Sequence, residues 1–268
     1  MRVGILGCGN MGKAIIRSLL NKYNDISIIA YDKAESALSN LPDDVLVIPP
    51  EEWGIEENKP DIVLIAVKPQ DIFDALKPFN EMQEISDAFL FISIAAGVSI
   101  AKLEKMLPDN SRICRVMTNT PALIGEALSA YCCNTKCRAS DKKNIEYILS
   151  AFGKIINVPE RLINAITGLS GSGPAYVFLF LEALIEGGVS AGLPYAVSKE
   201  CAVQTVIGSA KMILELNETP ASLKNIIMSP GGTTVRGLMA LEENKFKYAV
   251  IKAVLEASNR AEEISKQE

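Results

Sequence analysis

Residues 2–13 read RVGILGCGNMGK, an apolar run followed by three glycines, Gly7, Gly9 and Gly12. The apolar pattern predicts a strand before the first glycine and a helix after the last. A GxGxxG motif between a strand and a helix is typical of a dinucleotide-binding turn. The first glycine permits the tight turn, the second lets the backbone approach a pyrophosphate, and the third brings the helix close to the strand. The alternative is a glycine-rich turn that binds no ligand.

Asp32 and Lys33 stand where the second strand of this βαβ unit is predicted to end. An acidic side chain at that place usually binds the ribose 2′-hydroxyl and favours NAD over NADP. Lys33 could instead meet a 2′-phosphate, and Asp32 could simply belong to the start of a helix. The pair therefore leaves the cofactor open between NADPH and NADH.

From residue 1 to about 158 the chain alternates short apolar runs with amphipathic segments. The predicted strands are Val3–Leu6, Ile26–Ala30, Ile62–Val67, Phe89–Ile94, Ile113–Val116 and Ile155–Val158. The predicted helices between them are Met11–Lys22, Ile72–Phe79, Ile100–Met106 and Lys142–Ala151. This alternation indicates a mostly parallel sheet with helices on both faces, so residues 1–158 are predicted to be a Rossmann-like, doubly wound domain. The polar segment Pro49–Pro60 is expected to be an exposed loop.

Strand patterns are absent after this region, which predicts an all-helical domain over residues 159–268. The predicted helices are Pro174–Ser190, Pro194–Leu216, Pro220–Ile227, Thr234–Glu243 and Lys245–Lys266. Thr219 is predicted to cap the helix after it, and Gly192 to end the helix before it. Residues 175–185 are apolar on nearly every side, so this helix must be covered all round. We expect a second subunit to cover part of it, and the alternative is a central helix inside its own monomer. The fold class is thus α/β, a doubly wound sheet followed by an all-helical dimerisation domain.

Composition excludes several functions. The formal net charge is −5 and no run of Lys or Arg exceeds two residues, which argues against nucleic-acid binding. The chain has no His, and its six Cys are not spaced as metal-binding pairs, so no metal site is predicted. The N-terminus does not resemble a signal peptide, and Glu182 and Glu186 interrupt the longest apolar run, so no membrane span is expected. We therefore expect a cytoplasmic protein, with Cys132 and Cys133 as buried core thiols.

Two further segments end predicted strands, Ala66-Val67-Lys68-Pro69 and Ser93-Ile94-Ala95-Ala96-Gly97. Ligands of open α/β sheets bind outside the carboxyl ends of the strands, and small residues there let a cofactor approach the backbone. Lys68 is either a catalytic acid or, as is commoner for an exposed lysine at a strand end, a structural or phosphate-proximal charge.

Together with Asn119–Ala122, Ser170–Tyr176 and Ser229–Thr234, these segments resemble the pyrroline-5-carboxylate reductases. They occur in the family's order and cover nearly the whole chain. The run SPGGTT at residues 229–234 is the most specific, because it is similar to the core of the family's C-terminal signature. The resemblance implies a Rossmann-like domain, an interleaved helical dimer and, in some members, a ring of dimers. It also implies reduction of L-1-pyrroline-5-carboxylate to L-proline, the last step of proline biosynthesis, with NADPH or NADH.

The resemblance and the motifs together give the expected site residues. Those expected to bind the cofactor are Gly7, Cys8, Gly9, Asn10, Met11, Gly12, Asp32, Lys33, Ala66, Val67, Lys68, Pro69, Ala95, Ala96, Gly97 and Asn119. Those expected to bind the substrate carboxylate are Gly231, Gly232, Thr233 and Thr234. In the family this loop meets the nicotinamide end of a site on the other subunit, and a threonine matching Thr234, the expected catalytic residue, hydrogen-bonds the ring nitrogen.

The same loop also suits a carboxylate on physical grounds, since backbone N–H groups at a helix N-terminus form a positive end. A simpler alternative is that Thr233 only caps the helix. Two positions depart from the family pattern. Thr118 stands where the family usually has proline, which changes loop stiffness. The pair Asp32-Lys33 differs from that of NADP-preferring members, which puts a strict NADPH preference in doubt.

Two other functions compete with this interpretation. The β-hydroxyacid dehydrogenases are similar around Gly168–Gly173, but their catalytic Lys and Asn would fall at Val177 and Leu181, which offer no base. A sensor that binds NAD(P)H without turnover is the second alternative, and it would bind cofactor without reducing an imine. Reduction of a protonated imine needs no strong general acid, which agrees with the absence of His.

Overall fold

The structure is a computed structural model that describes residues 1–82 and 88–266. Within these ranges the strands are β1 (Arg2–Leu6), β2 (Ser27–Tyr31), β3 (Val45–Val47), β4 (Ile62–Ile65), β5 (Leu90–Ser93), β6 (Arg112–Met117), β7 (Ala127–Cys133) and β8 (Gly153–Asn157). They form one sheet in the order β3-β2-β1-β4-β5-β6-β7-β8. Neighbouring strands are parallel except β6 and β7, which are antiparallel. The prediction of a mostly parallel sheet is confirmed.

Helices cover both faces of this sheet. The helices that accompany the strands are α1 (Asn10–Lys22), α2 (Glu35–Leu38), α3 (Ile72–Glu81), α4 (Ile100–Met106), α5 (Ala139–Ser150) and α6 (Ile163–Ile166). Successive strand residues point to opposite faces, so Ile62 and Leu64 of β4 join one buried cluster and Val63 and Ile65 join the other. Helices α1 and α5 pack into the first cluster, whereas α3, α4 and α6 pack into the second. The doubly wound arrangement is confirmed.

The segment Pro49–Pro60 is only partly the exposed loop that its polar composition predicted, because Glu51, Glu52 and residues 55–57 are exposed whereas Trp53 is buried. Trp53 is 0% exposed, and its Nε1–H donates to the carbonyl oxygen of Ile48 at 2.9 Å. Its ring packs edge-on against Phe79 of α3, with 5.7 Å between ring centroids. A Cβ on Gly4 in β1 would lie 2.6 Å from this ring, so the strand needs glycine there. One aromatic side chain therefore anchors an otherwise polar segment in the core.

Predicted and observed element boundaries differ at several places. The prediction continued β4 to Val67, but the strand ends at Ile65 and the next residues turn into a loop. The short edge strand β3 was not predicted, although residues 45–48 form an apolar run, and in the structure Leu46 and Val47 are exposed. The single-turn helices α2 and α6 were also missed, since four residues are too few to show a helical period.

Helices alone make up the C-terminal part of the described chain. They are α7 (Gly173–Ser190), α8 (Tyr195–Leu216), α9 (Pro220–Ile227), α10 (Thr233–Glu243) and α11 (Phe246–Lys266). The hydroxyl of Thr219 accepts the N–H of Ser222 at the start of α9, as predicted. Gly192 adopts a φ of +100° just after α7, where the helix was predicted to stop. The all-helical prediction for this region is confirmed apart from small shifts in helix limits.

The chain forms two compact units, Met1–Ser172 with Leu255–Glu268, and Gly173–Val254. The predicted domain boundary between residues 158 and 159, placed where the strand rhythm ends, stays a prediction. In the second unit, none of the residues of α7 is buried within a single chain, and Phe178 and Leu179 are 64% and 66% exposed. Residues 160–190 have the length and apolar composition of a membrane-crossing helix, and 6% of that window is buried within the chain. An exposed apolar helix of this kind is typical of an interaction site.

Candidate active site

The GxGxxG turn joins the end of β1 to the start of α1. Gly7 has a φ of +103°, and a Cβ there would lie 2.7 Å from the backbone nitrogen of Val67. A Cβ on Gly12 would overlap the carbonyl oxygen of Gly7. A Cβ on Gly9 would meet no atom within 4 Å, and Gly9 is the N-cap of α1 without a side-chain hydrogen bond. Two glycines thus pack the turn itself, while the third leaves open space at a helix N-terminus that suits a phosphate.

A cavity opens beside this turn, where the winding of the sheet changes direction. From β1 the chain builds β2 and β3 on one side, then β4 to β6 on the other. Ligands of open α/β sheets bind at such a point, outside the carboxyl ends of the strands. The cavity measures about 450 Å³. It is lined by Leu6, Gly7, Gly9, Tyr31, Asp32, Lys33, Ala34, Ala37, Pro50, Glu51, Ala66, Val67, Lys68, Asp71, Asp74, Ala75 and Pro78.

Asp32 ties the glycine turn to the end of β2. One carboxylate oxygen accepts the N–H of Cys8 at 2.8 Å, and the other accepts the N–H of Ala34 at 2.9 Å. A carboxylate has about four acceptor positions, so these two bonds leave capacity to accept a ribose hydroxyl. Asp32 therefore both shapes the turn and presents a negative charge to the cavity.

Cys8 lies below the turn rather than in the cavity. Its side chain is 0% exposed, and Sγ lies 3.7 Å from the carbonyl oxygen of Tyr31. Burial, reinforced by the charge of Asp32, raises the pKa of the Cys8 thiol to about 12. The thiol is therefore protonated at neutral pH and acts as a small packing group.

Lys33 is held at the rim of the cavity by an acidic partner. Its Nζ lies 2.6 Å from Oδ1 of Asp71, which directly precedes α3. The hydrogen bond and charge of Asp71 hold the pKa of Lys33 above its ordinary value. Asp74, in the first turn of α3, pairs instead with Lys77 at 2.7 Å. The cation next to Asp32 therefore already has a carboxylate partner within the protein.

The segment after β5 has both buried and exposed residues. Ala95 and Gly97 are buried, and Ala96 between them is exposed. Gly97 has a φ of +77°, and a Cβ there would overlap Cγ2 of Ile264 in α11. Its conformation and its contact with the last helix therefore explain this glycine without a ligand. The segment follows the strand next to β4, but it does not line the 450 Å³ cavity.

Asn119 follows β6 and uses its side chain within the protein. Its Nδ2 donates to the carbonyl oxygen of Ser170 at 3.1 Å, and its Oδ1 accepts the N–H of Leu128 at 3.2 Å. The preceding Thr118 is buried, and its Oγ1 is hydrogen-bonded to Oγ of Ser129 at 2.9 Å. A proline at position 118 could not make this bond. Both side chains fix the end of β6, and neither lines the cavity.

The loop of residues 229–234 lies in the second unit. Gly231 has a φ of +69°, a conformation that favours glycine. Gly232 is the N-cap of α10, and a Cβ on it would overlap Oγ of Ser229. The alternative in which Thr233 caps the helix is wrong, because α10 begins at Thr233 and the cap position makes no side-chain bond. Thr233 is exposed and Thr234 half-buried, both in the first turn, where N–H groups lack partners within the helix.

The structure brings together part of the predicted cofactor set. Gly7, Gly9, Asp32, Lys33 and the segment Ala66–Lys68 line the cavity. The remaining predicted residues do not line it, and they are Cys8, Asn10, Met11, Gly12, Pro69, Ala95, Ala96, Gly97 and Asn119. Sequence reasoning missed Glu51, Asp71 and Asp74. Asp71 could have been predicted, because it lies two residues after Pro69 and therefore close to a predicted strand end.

No group of three or more His, Cys, Asp or Glu side chains in residues 1–82 and 88–266 has an arrangement that could hold a metal ion. The cavity therefore offers glycine backbone, small apolar side chains and a charged rim. Such a site can bind and orient a dinucleotide, and the chemistry of a reaction there would come from the cofactor.

Comparison with known proteins gives the same domain order. The family model "Pyrroline-5-carboxylate reductase dimerisation" matches residues 160–264, and "NADP oxidoreductase coenzyme F420-dependent" matches residues 2–97. The chain is 38% identical to pyrroline-5-carboxylate reductase of Synechocystis sp. over 99% of both chains. It is 35% identical to the enzyme of that name from Escherichia coli, over 99% of this chain and 98% of the other.

Solved structures agree with these sequence matches. The crystal structure of Plasmodium falciparum pyrroline carboxylate reductase with NADP bound superimposes with a TM-score of 0.88, at 34% identity. The match covers 99% of this chain and 98% of that one. Full-length similarity at this level, over both the sheet and the helices, places the chain in the pyrroline-5-carboxylate reductase family.

Proposed function

We propose that this protein reduces L-1-pyrroline-5-carboxylate to L-proline with NADPH or NADH. The reduced nicotinamide would supply a hydride to the carbon of the protonated C=N bond, which would turn the iminium nitrogen into the secondary amine of proline, and this amine takes up a proton from solvent at neutral pH. The observation that carries the proposal is the full-length similarity to curated pyrroline-5-carboxylate reductases, in a chain that keeps the open glycine turn. The oxidised nicotinamide and proline are the products.

The predicted cofactor residues fit a dinucleotide at the glycine turn. The open space at Gly9 accepts the pyrophosphate, because a side chain there would fill it. The N-terminus of α1 supplies backbone N–H groups and the positive end of a helix dipole. Asp32 and Lys33 line the same cavity and would meet the adenosine ribose, and Ala66 and Val67 would give the cofactor close access to backbone. When bound, the nicotinamide supplies the hydride.

The substrate carboxylate is assigned to the loop of residues 229–234. The first turn of α10 presents the backbone N–H groups of Thr233 and Thr234 at a positive helix end, whereas the N–H of Gly232 donates to the carbonyl oxygen of Ser229 at 2.9 Å. Gly231 and Gly232 keep that backbone bare of side chains. The hydroxyl of Thr234 would then orient the ring nitrogen of the imine by a hydrogen bond.

No strong acid is needed for this reaction. A protonated imine is already electrophilic, so the protein's task is to hold the two rings in reacting geometry and to exclude competing orientations. Solvent supplies the proton when the imine arrives neutral. Lys68, exposed at the end of β4, is better suited to a cofactor phosphate than to proton transfer.

We also propose a homodimer as the working unit, and a ring of dimers as its larger assembly. The match of residues 160–264 to a dimerisation family and the exposure of α7 support a second copy as the covering partner. We propose a cytoplasmic location, which is compatible with six free cysteines in the described chain. Neither a nucleic-acid nor a membrane partner is needed.

The test is to mix the purified protein with chemically made pyrroline-5-carboxylate and follow the absorbance of NADPH or NADH. Oxidation that requires the imine, with proline formed in equal amount, is the expected result. Protein that binds NAD(P)H but oxidises neither cofactor would contradict the proposal and favour a nucleotide sensor. A 3-hydroxy acid with oxidised cofactor serves as the control for a dehydrogenase.

A further inference from the structure

The rim of the nucleotide cavity carries more negative than positive charge. Four carboxylates line it, those of Asp32, Glu51, Asp71 and Asp74, against the two ammonium groups of Lys33 and Lys68. A phosphate monoester such as the 2′-phosphate of NADPH carries about −1.5 to −2 charges at neutral pH. NADH and NADPH differ only in this group, so the rim charge acts on the difference between them.

Asp32 stands at the place where the two cofactors differ. It directly follows β2, where an acidic side chain binds the ribose hydroxyls. Its oxygens are fixed by the N–H groups of Cys8 and Ala34, at 2.8 and 2.9 Å, so the carboxylate cannot turn away without loosening the glycine turn. A 2′-phosphate would therefore face a fixed negative charge.

Lys33, which follows Asp32 in the sequence, is a rim cation that could offset this repulsion, but it is paired with Asp71. The Nζ–Oδ1 distance is 2.6 Å, and the Lys33 side chain is 72% exposed while that of Asp71 is 29% exposed. A 2′-phosphate would have to break this pair before it could use Lys33. Asp74 competes less directly, because it also attracts Lys33 but makes its own hydrogen-bonded pair with Lys77 at 2.7 Å.

We infer that this protein selects NADH over NADPH, and that Asp71 is a second selecting residue, which acts by keeping Lys33 from a 2′-phosphate. Asp32 repels the phosphate directly, and Asp71 removes the cation that would compensate. The inference deepens the proposed function and rests on it for the identity of the site, but cofactor binding can be measured without the imine.

The experiment is isothermal titration of the full-length protein with NADH and with NADPH, in the absence of imine and at low salt. Wild type is expected to bind NADH with a dissociation constant about tenfold lower or more. Asp71→Asn is expected to lower the dissociation constant of NADPH by about fivefold, because Lys33 is then free to bind the 2′-phosphate. The dissociation constant of NADH is expected to stay within about twofold of wild type. Asp74→Asn is the matched control, since it removes the same charge from the same rim while the Lys33–Asp71 pair remains.

Asp32→Ser tests the first selecting residue. This variant should bind NADH more weakly and shift the ratio of the two dissociation constants towards NADPH by about tenfold or more. Circular dichroism checks that it is folded. Wild type that binds NADPH as tightly as NADH would overturn the inference. So would an Asp71→Asn effect on NADPH no larger than that of Asp74→Asn. Tight NADH binding without imine reduction would instead contradict the proposed function alone.

Discussion

Asn119 holds Ser170: its side-chain Nδ2 lies 3.1 Å from the carbonyl oxygen and 3.2 Å from Oγ of that residue. The same amide accepts the N–H of Leu128, so it joins β6, the start of β7 and the turn before α7. Asn119→Ala would leave these partly buried groups without a partner. We expect it to lower the free energy of unfolding by about 1 to 3 kcal/mol. Urea denaturation measures this, and Asn80→Ala, on the exposed face of α3, should change stability by less than about 0.5 kcal/mol.

Gly9 and Gly12 are expected to separate binding from folding. Gly12→Ala would place its Cβ onto the carbonyl oxygen of Gly7, so we expect a loss of about 3 kcal/mol or more, or no folded protein. Gly9→Ala has no such clash and should keep stability within about 1 kcal/mol of wild type, yet bind cofactor at least about tenfold more weakly. Thermal unfolding and cofactor titration on both variants decide this. Unchanged cofactor affinity in Gly9→Ala would argue against a pyrophosphate at that position.

The hydroxyl of Thr234 is expected to matter to the reaction and not to the fold. Thr234→Val keeps the shape but removes the hydroxyl, and should lower kcat/KM for the imine about 10- to 100-fold, as for one lost hydrogen bond in the transition state. Thr234→Ser should retain most activity because it keeps the hydroxyl. Steady-state kinetics with saturating NADH measures both variants. Equal activity of the valine and serine variants would remove Thr234 from the mechanism.

Buried thiols make stability depend on alkaline pH. Burial, reinforced by Asp32, raises the pKa of Cys8 from 9.0 to about 12, and burial raises that of Cys132 from 9.0 to about 11. The folded state therefore keeps protons that the unfolded state releases above about pH 9, so stability is full below that pH and falls as pH rises towards about 12. Urea midpoints measured between about pH 8 and 10.5 should decline.

Single cysteine variants show which thiol causes the loss of stability at alkaline pH. Cys8→Ala is expected to flatten the loss of stability above about pH 9, because the titrating thiol is gone from the folded and unfolded states alike. Cys201→Ala changes an exposed thiol and should leave the slope as in wild type. Identical slopes in all three proteins would show that other groups control the alkaline transition.

The apolar surface of α7 is expected to control assembly. Leu179→Glu places a charge where wild type exposes a large apolar side chain, and burying an unpaired charge in an interface costs several kcal/mol. Analytical ultracentrifugation should show a shift to monomer, with loss of imine reduction. The control is Lys105→Glu, which reverses the charge of an exposed side chain on α4. This variant should sediment as wild type does. A wild-type protein that sediments as a monomer would contradict the dimer proposal.

Local motifs carried most of what the sequence could predict. Gly7, Gly9 and Gly12 occur within six residues, so their turn was evident, and the family and the fold class inferred from them and from the later segments are confirmed. Trp53 was misplaced because its neighbours are polar, and burial of that ring depends on the missing side chain of Gly4, far away in sequence.

The charged rim was harder to predict because it depends on tertiary pairing. Lys33 and Asp71 are 38 residues apart and meet only through the sheet order that sets β2 and β4 on either side of β1. The packing role of Gly97 likewise requires Ile264. Sequence alone placed the end of β4 within two residues, but it could not say which side chains at the strand ends face the cavity.

The chain has a single tryptophan, Trp53, and it lies at 0% exposure in the first unit. Its emission should therefore be blue-shifted in the native protein and should move to the red only when the sheet opens. Far-ultraviolet ellipticity, by contrast, also records α7 to α10. Denaturation curves followed by the two signals will coincide only if the sheet and the helical unit unfold in one cooperative transition. The fluorescence of Trp53 therefore measures how strongly the stability of each unit depends on the other.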